Sequence, residues 1–234
     1  MGGKSGADGA NSTGGANSTG GAGRTGGTGS AQDTDRPIGR RAEYAEATRR
    51  AIETAARELF VAKGYFGTTV SDIAASARVA PATVYAVGGG KQGLLRTVIE
   101  SGTTAPVVDE ILARIDAEQD PAELVRFTTR STRVMFEHWS DLMRVVTATA
   151  PHDPSVAQSL AIARNSQRAG FTRVANRLEK LGALAKDLDV AEAADLMYFH
   201  LGNSAYFSLT DDNAWSLDKA EKWLADSLLR VLLD

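Results

Sequence analysis

Residues 51–95 read AIETAARELFVAKGYFGTTVSDIAASARVAPATVYAVGGGKQGLL, and this run decides the fold. Ile52, Ala55, Ala56, Leu59 and Phe60 recur at helical spacing, which predicts a first helix from Arg41 to Lys63 with Gly64 as its C-terminal cap. Thr69 then stands as an N-cap, with Asp72 three residues on favouring the positive end of the helix dipole. It opens a short second helix that ends near Ala77 and has Ile73, Ala74 and Ala77 as its small apolar face. Pro81 suits the first position of a third helix, Pro81 to Val87, where its missing N–H costs nothing. Gly88, Gly89 and Gly90 stop that helix, and Lys91 starts a fourth containing Leu94, Leu95, Val98 and Ile99.

Two short helices separated by a tight turn have a physical use. The second of such a pair, poor in large outward apolar groups, fits a major groove about 12 Å wide. On the third helix Val84 is expected to face the core, leaving Ala82, Thr83, Tyr85 and Ala86 for a partner. Thr83 can donate or accept, and Tyr85 can reach a phosphate.

The same run resembles the DNA-binding domain of the TetR/AcrR family of transcriptional regulators. The resemblance rests on Ala55-Ala56 with Leu59-Phe60, Gly64-Tyr65, Thr68-Thr69-Val70, Ile73-Ala74, Val79, Thr83-Val84-Tyr85, and Lys91 followed by Leu94-Leu95. It implies a homodimer whose two helix-turn-helix units meet successive major grooves of a palindromic operator on double-stranded DNA. Carried over position by position, the DNA contacts are Thr69, Ser71, Ala82, Thr83, Tyr85 and Lys91. Lys91 also stands beside the free N–H groups of a helix start, a natural anion site.

Three positions depart from the family pattern. Arg78 replaces the usual turn glycine, which forces a non-glycine residue toward the left-handed region. Its side chain is either a further phosphate contact or plainly solvated. Ala80 replaces a small polar cap, weakening that helix end by about 0.5–2 kcal/mol. Gly88 replaces a Phe, so the loop between the third and fourth helices is expected to lose an anchor and gain freedom. Between Pro81 and Val87 there is no Arg, Asn or Gln, so base readout is expected to lean on Thr83, thymine methyl contacts and DNA shape. Arg40 and Arg41 read either as a mobile minor-groove arm or as a solvated helix start.

Outward toward the C-terminus the pattern stays helical. Helices are predicted at Ala105 to Ala117, Pro121 to Glu137, Trp139 to Thr149, Pro154 to Leu181, Val190 to Leu209 and Leu217 to Leu233, with Pro121, Pro151 and Pro154 at breaks. The fold class is therefore all-α: an N-terminal three-helix helix-turn-helix domain plus a C-terminal helical bundle for ligand binding and dimerisation. Large side chains at Phe127, Met135, Phe136, His138, Trp139 and Met143, completed by Phe171, Tyr198 and Phe199, suit either an apolar effector pocket or ordinary core packing. By resemblance the last two helices pair with their symmetry mates. Gly202 and Ala205 would permit close approach, and Trp223, Leu224, Leu228 and Val231 would supply the contacts. An intramolecular core is the alternative for the same residues.

Toward the N-terminus, twelve of the 23 glycines fall in the first thirty residues, and the hexad NSTGGA occurs twice. Such a stretch buries too little to offset chain entropy. Residues 1–36 are thus expected to be a disordered Gly-rich leader, 37–100 the DNA-binding domain, and 101–234 the effector-binding and dimerisation domain. Residues 37–100 hold nine basic against six acidic side chains, and 101–234 hold fourteen against twenty. That asymmetry points weakly to a polyanion-binding module.

Cysteine is absent, which excludes disulfides, thiolate metal sites and Cys nucleophiles. His138, His152 and His200 lack partners at metal-ligand spacing. The Gly88-Gly89-Gly90-Lys91 run fails as a phosphate-binding loop, because Tyr85 stands where Gly is needed and Gln92 where Ser or Thr is needed. Neither a cofactor nor an enzymatic activity is expected. Without a spanning-length apolar run or an apolar h-region, the expected location is cytoplasmic. The competing reading is a helical small-molecule-binding protein without operator binding.

Overall fold

Helix formers and prolines at first-turn positions dictate ten α-helices among the described residues, 36–233 of a computed structural model. The expected disorder of the Gly-rich leader lies outside those residues. The chain divides into two units at Arg40/Arg41, and the account below concerns Arg41–Asp234. Helix α1 (Arg36–Gly67) begins five residues before its expected start, since Pro37 is acceptable in a first turn. Arg40 and Arg41 are consequently helical, not an extended arm. Gly64 interrupts α1 with φ 73°, and one further turn carries the chain to Gly67.

The N-terminal helices, called the head below, continue with α2 (Val70–Ala77), α3 (Pro81–Gly88) and α4 (Lys91–Thr103). Beyond it lie α5 (Pro106–Ala117), α6 (Pro121–Thr149), α7 (Pro154–Lys180), α8 (Val190–Leu201), α9 (Asn203–Phe207) and α10 (Leu217–Leu232). The break expected at His138 is absent: nothing between Glu137 and Trp139 disfavours a helix, so α6 runs unbroken. Conversely, the helix expected over Val190 to Leu209 is broken at Gly202, whose ψ of 158° ends α8 and starts α9. A π-helical turn, Ser208–Asp212, follows. Asp120, Asp153 and Asp189 cap α6, α7 and α8 by accepting backbone N–H groups of the first turn.

Two hydrophobic clusters organise these helices. One joins Leu124, Phe171, Leu178, Met197, Leu224 and Leu228 within the C-terminal helices. The other is centred on the head (Ile52, Phe60, Ile73, Val84, Leu94, Leu95) but is completed by Leu142, Met143 and Val146 of α6 and Val156 and Leu160 of α7. The boundary expected at residue 100 therefore separates two segments, not two closed cores.

Candidate DNA-reading head and internal cavity

The head is fixed by local chemistry at each turn. The Thr69 hydroxyl accepts the Asp72 N–H at 3.1 Å, and the Asp72 carboxylate accepts the Thr69 N–H at 3.0 Å, a reciprocal capping box. Lys63 binds the other Asp72 oxygen at 3.2 Å, tying α1 to α2. The Thr69 hydroxyl, and after it the Thr69 backbone and Lys63, hold the Asp72 carboxyl below its ordinary value. Arg78 occupies the left-handed region, φ 57° and ψ 42°, and its backbone N–H closes α2 by donating to the Ala74 and Ala75 carbonyls. The left-handed geometry anticipated for a non-glycine residue is thus present, and the Arg78 side chain is exposed.

On α3 Val84 is fully buried, whereas Ala82, Tyr85 and Ala86 are exposed and Thr83 is half-buried. Ala80 supplies no side-chain cap, as its lack of a hydroxyl requires. Ser71 is exposed at the start of α2. The glycine loop differs from the expectation of freedom. A Cβ on Gly88 would lie 2.3 Å from Leu94 Cδ2, and one on Gly93 would lie 1.9 Å from the Gly88 carbonyl oxygen. The glycines let α3 and α4 touch backbone to backbone, so the loop is anchored by contact, not by a Phe side chain. Lys91 donates to the Tyr65 carbonyl at 2.9 Å and stands 4.3 Å from the Tyr65 ring centroid. That leaves two of its three N–H donors for another acceptor.

Behind the head a cavity of about 960 Å³ opens among α4 to α10. Of the side chains expected to line it, Met135, Phe136, Trp139, Met143, Phe171, Tyr198 and Phe199 do so. Phe127 and His138 do not. Phe127 is buried in the C-terminal core with the Arg114 guanidinium 4.1 Å from its ring centroid, and His138 is exposed on the outer side of α6. Helical phase explains both: positions 127 and 138 fall on another face of α6 than 135, 136, 139 and 143. Much of the wall comes from residues the sequence did not single out, including Ile111, Leu112 and Ile115 of α5 and Leu160, Gln167 and Val174 of α7. The amphipathic repeat of α5 and α7 is legible, but repeat alone does not tell a cavity wall from a packed core.

Trp139 connects this cavity to the head. Its indole packs so closely on Gly102 of α4 that a Cβ there would lie 2.7 Å from Cζ2. Arg57 of α1 lies over the same ring, 5.1 Å from the centroid, donates to the His138 carbonyl and pairs with Asp141 at 3.3 Å. One cavity-lining side chain therefore touches two helices of the head. Nearby, Arg144 forks onto Asp211 through two 2.8 Å bonds, which hold the Asp211 carboxyl below its ordinary value. Burial pushes the Tyr206 hydroxyl upward, its ring stacked 4.6 Å from Phe136.

The positions expected at a dimer contact divide. Leu224 and Leu228 are each 1 % exposed and belong to the intramolecular core, while Trp223 and Val231 are 45 % and 38 % exposed, with Trp223 also lining the cavity. Gly202 is buried at the α8–α9 break, where a Cβ would lie 2.6 Å from the Tyr198 carbonyl oxygen. Its small size serves the break between α8 and α9. Ala205 is half-buried and lines the cavity.

Comparison with known proteins agrees with this geometry. Residues 52–98 match the bacterial regulatory proteins of the tetR family. No curated protein sequence matches the chain. Among solved structures, a TetR-family transcriptional regulator from Syntrophomonas wolfei str. Goettingen superposes with a TM-score of 0.65 at 21 % identity, covering 78 % of this chain and 93 % of its own. A transcriptional regulator from Saccharomonospora viridis, solved in complex with choline, gives 0.65 at 18 %, covering 80 % and 97 %. A Clostridium perfringens protein described as a fatty acid metabolism regulator gives 0.60 at 20 %, covering 79 % and 99 %. At such identities these likenesses establish the fold. With α2 and α3 forming the helix-turn-helix inside the matched segment, residues 52–98 form a DNA-binding domain of the tetR family of bacterial regulatory proteins.

Proposed function

We propose that this regulator is a cytoplasmic, homodimeric repressor that grips a palindromic operator through two copies of α2–α3 and releases it when a small apolar effector enters the cavity. The observation that carries this reading is Trp139, a cavity wall in contact with Gly102 of α4 and Arg57 of α1. An occupant that moves the indole favours one arrangement of the head over another, which is the differential interaction a ligand needs to shift an equilibrium. The complex of the Saccharomonospora viridis structure with choline supports the view that this fold admits a small molecule.

The DNA contacts in this proposal are Thr69, Ser71, Arg78, Ala82, Thr83, Tyr85 and Lys91. Thr83 is the base reader, and Arg78 and Lys91 serve phosphates. The dimer contact uses the exposed Trp223 and Val231 of α10 together with Phe199 of α8, which is 75 % exposed. The test is fluorescence anisotropy of the full chain on labelled DNA from upstream of its own gene, over a salt series. The proposal expects specific binding that weakens with salt, a preference relaxed by Thr83→Ala, and dissociation on adding a cavity ligand. Binding of small molecules without specific DNA binding would instead establish the competing reading.

A further inference from the structure

We propose that the effector is an amphipathic anion, whose apolar body fills the cavity and whose carboxylate-like head pairs with Arg164; this rests on the reading of the cavity as the effector site. The ionisable side chains lining the cavity are Arg164, Arg168, Asp195 and His200. Asp195 is already paired with Arg168, and the Arg168 guanidinium lies 4.3 Å from the Tyr198 ring centroid. Arg164, which lines the cavity while remaining exposed to solvent, makes no hydrogen bond or ion pair among the described residues. The lining thus carries one matched pair and one unmatched guanidinium, with no carboxylate left for a cation.

The aromatic walls argue in the same direction. A cation would be recognised by open ring faces; the protein's own guanidiniums already face three of the lining rings, while Phe171, Phe199 and Trp223 carry no cation among the described residues. Arg57 covers Trp139 at 5.1 Å, Arg168 covers Tyr198, and Phe136 has Arg144 at 6.0 Å and the Tyr206 ring stacked on it at 4.6 Å. A guanidinium without a partner favours a carboxylate or similar oxyanion, which it can engage through two parallel bonds.

The rest of the wall sets the body of the ligand. The Thr128 and Thr132 hydroxyls donate to backbone carbonyls of their own helix at 2.8 and 2.9 Å, so they make little demand on an occupant. From Arg164 the α7 wall runs on to Phe171 and Val174, about 15 Å along the helix axis at the usual rise. That is the length of a medium-chain acyl group.

Isothermal titration of the full chain with decanoate, decanol and decyltrimethylammonium, which share one apolar chain, tests the inference. Decanoate is expected to bind about tenfold or more tighter than decanol, as a charge-assisted bond implies, and decyltrimethylammonium most weakly. Arg164→Gln should remove that advantage while leaving decanol binding in place, and Arg164→Lys should retain part of it. Equal affinity for decanoate and decanol, or tightest binding of the ammonium probe, overturns the anionic head and leaves the cavity reading standing. An advantage of decanoate that survives in Arg164→Gln overturns the assignment to Arg164. Failure of all three probes overturns the cavity reading and the inference with it.

Discussion

Replacing Gly102 by Ala puts one methyl group where Trp139 now sits. The added Cβ would be 2.7, 2.9 and 3.1 Å from Cζ2, Cε2 and Cη2 of the indole, well inside carbon–carbon contact at about 3.5–4.0 Å. The ring also carries the Arg57 guanidinium 5.1 Å from its centroid, so relief requires the indole to shift by several tenths of an ångström or more, with the cavity it lines as the open space. Overpacking of this kind costs about 1–3 kcal/mol. A Gly→Ala change inside a helix recovers at most about 1 kcal/mol, and less here, because Gly102 is the penultimate residue of α4. Gly102→Ala alone is therefore expected to destabilise the protein by about 1–2 kcal/mol. In a Trp139→Leu background, where the ring is gone, the same change should be neutral or stabilising by a few tenths of a kcal/mol. The double-mutant cycle in urea unfolding should thus give a coupling of about 2 kcal/mol. Operator affinity of the single variant should also fall, because the displaced ring imitates an occupied cavity. Equal effects of Gly102→Ala in both backgrounds would refute the contact on which the coupling rests.

Other outcomes follow from the same geometry. Gly93→Ala sets a Cβ 1.9 Å from the backbone oxygen of Gly88, a clash no side chain can relieve, and circular dichroism melts should show a loss of about 3 kcal/mol or more. Arg78→Gly relieves a left-handed residue and should raise stability by about 1 kcal/mol; if its guanidinium meets a phosphate, the slope of log K against log salt should shrink by about 0.9 for each half-site. The carboxyls of Asp72 and Asp211 are held below their ordinary values, by the Thr69 hydroxyl and by Arg144 respectively. The stability they contribute is complete above the unfolded carboxylate value, about 3.9, and is lost as pH falls through the lowered folded values. Asp211→Asn should accordingly flatten the acid side of the stability profile without changing its shape near neutrality.

Much of the head was legible in the chain because local chemistry sets it. Thr69 with Asp72 specifies a helix start, Pro81 another, and the buried phase of α3 follows from Val84 alone. The glycine triplet was read correctly as a stop but not as a contact: that Gly88 and Gly93 meet is a tertiary fact invisible in a linear repeat. In the body, the joined α6 and the break at Gly202 were missed for opposite reasons. A continuous helix carries no positive signal at its middle, and a glycine inside a helical pattern can either continue it or end it. The cavity was half legible. Its aromatic and Met walls stood out by size, while its aliphatic walls on α5 and α7 look like any amphipathic helix. That Leu224 and Leu228 of α10 are buried while Trp223 and Val231 stay partly exposed required knowing what packs on the helix.

The central claim is that α2 and α3 read DNA sequence as a symmetric pair. Selection of fragments from a random DNA pool by the purified full chain, followed by sequencing of the bound fraction, tests it most directly. Enrichment of a palindrome whose half-sites lie about one helical turn apart, lost when Thr83 and Tyr85 are both replaced by Ala, is the expected result. A bound fraction with no enriched palindrome, or one unchanged by that double substitution, would contradict it.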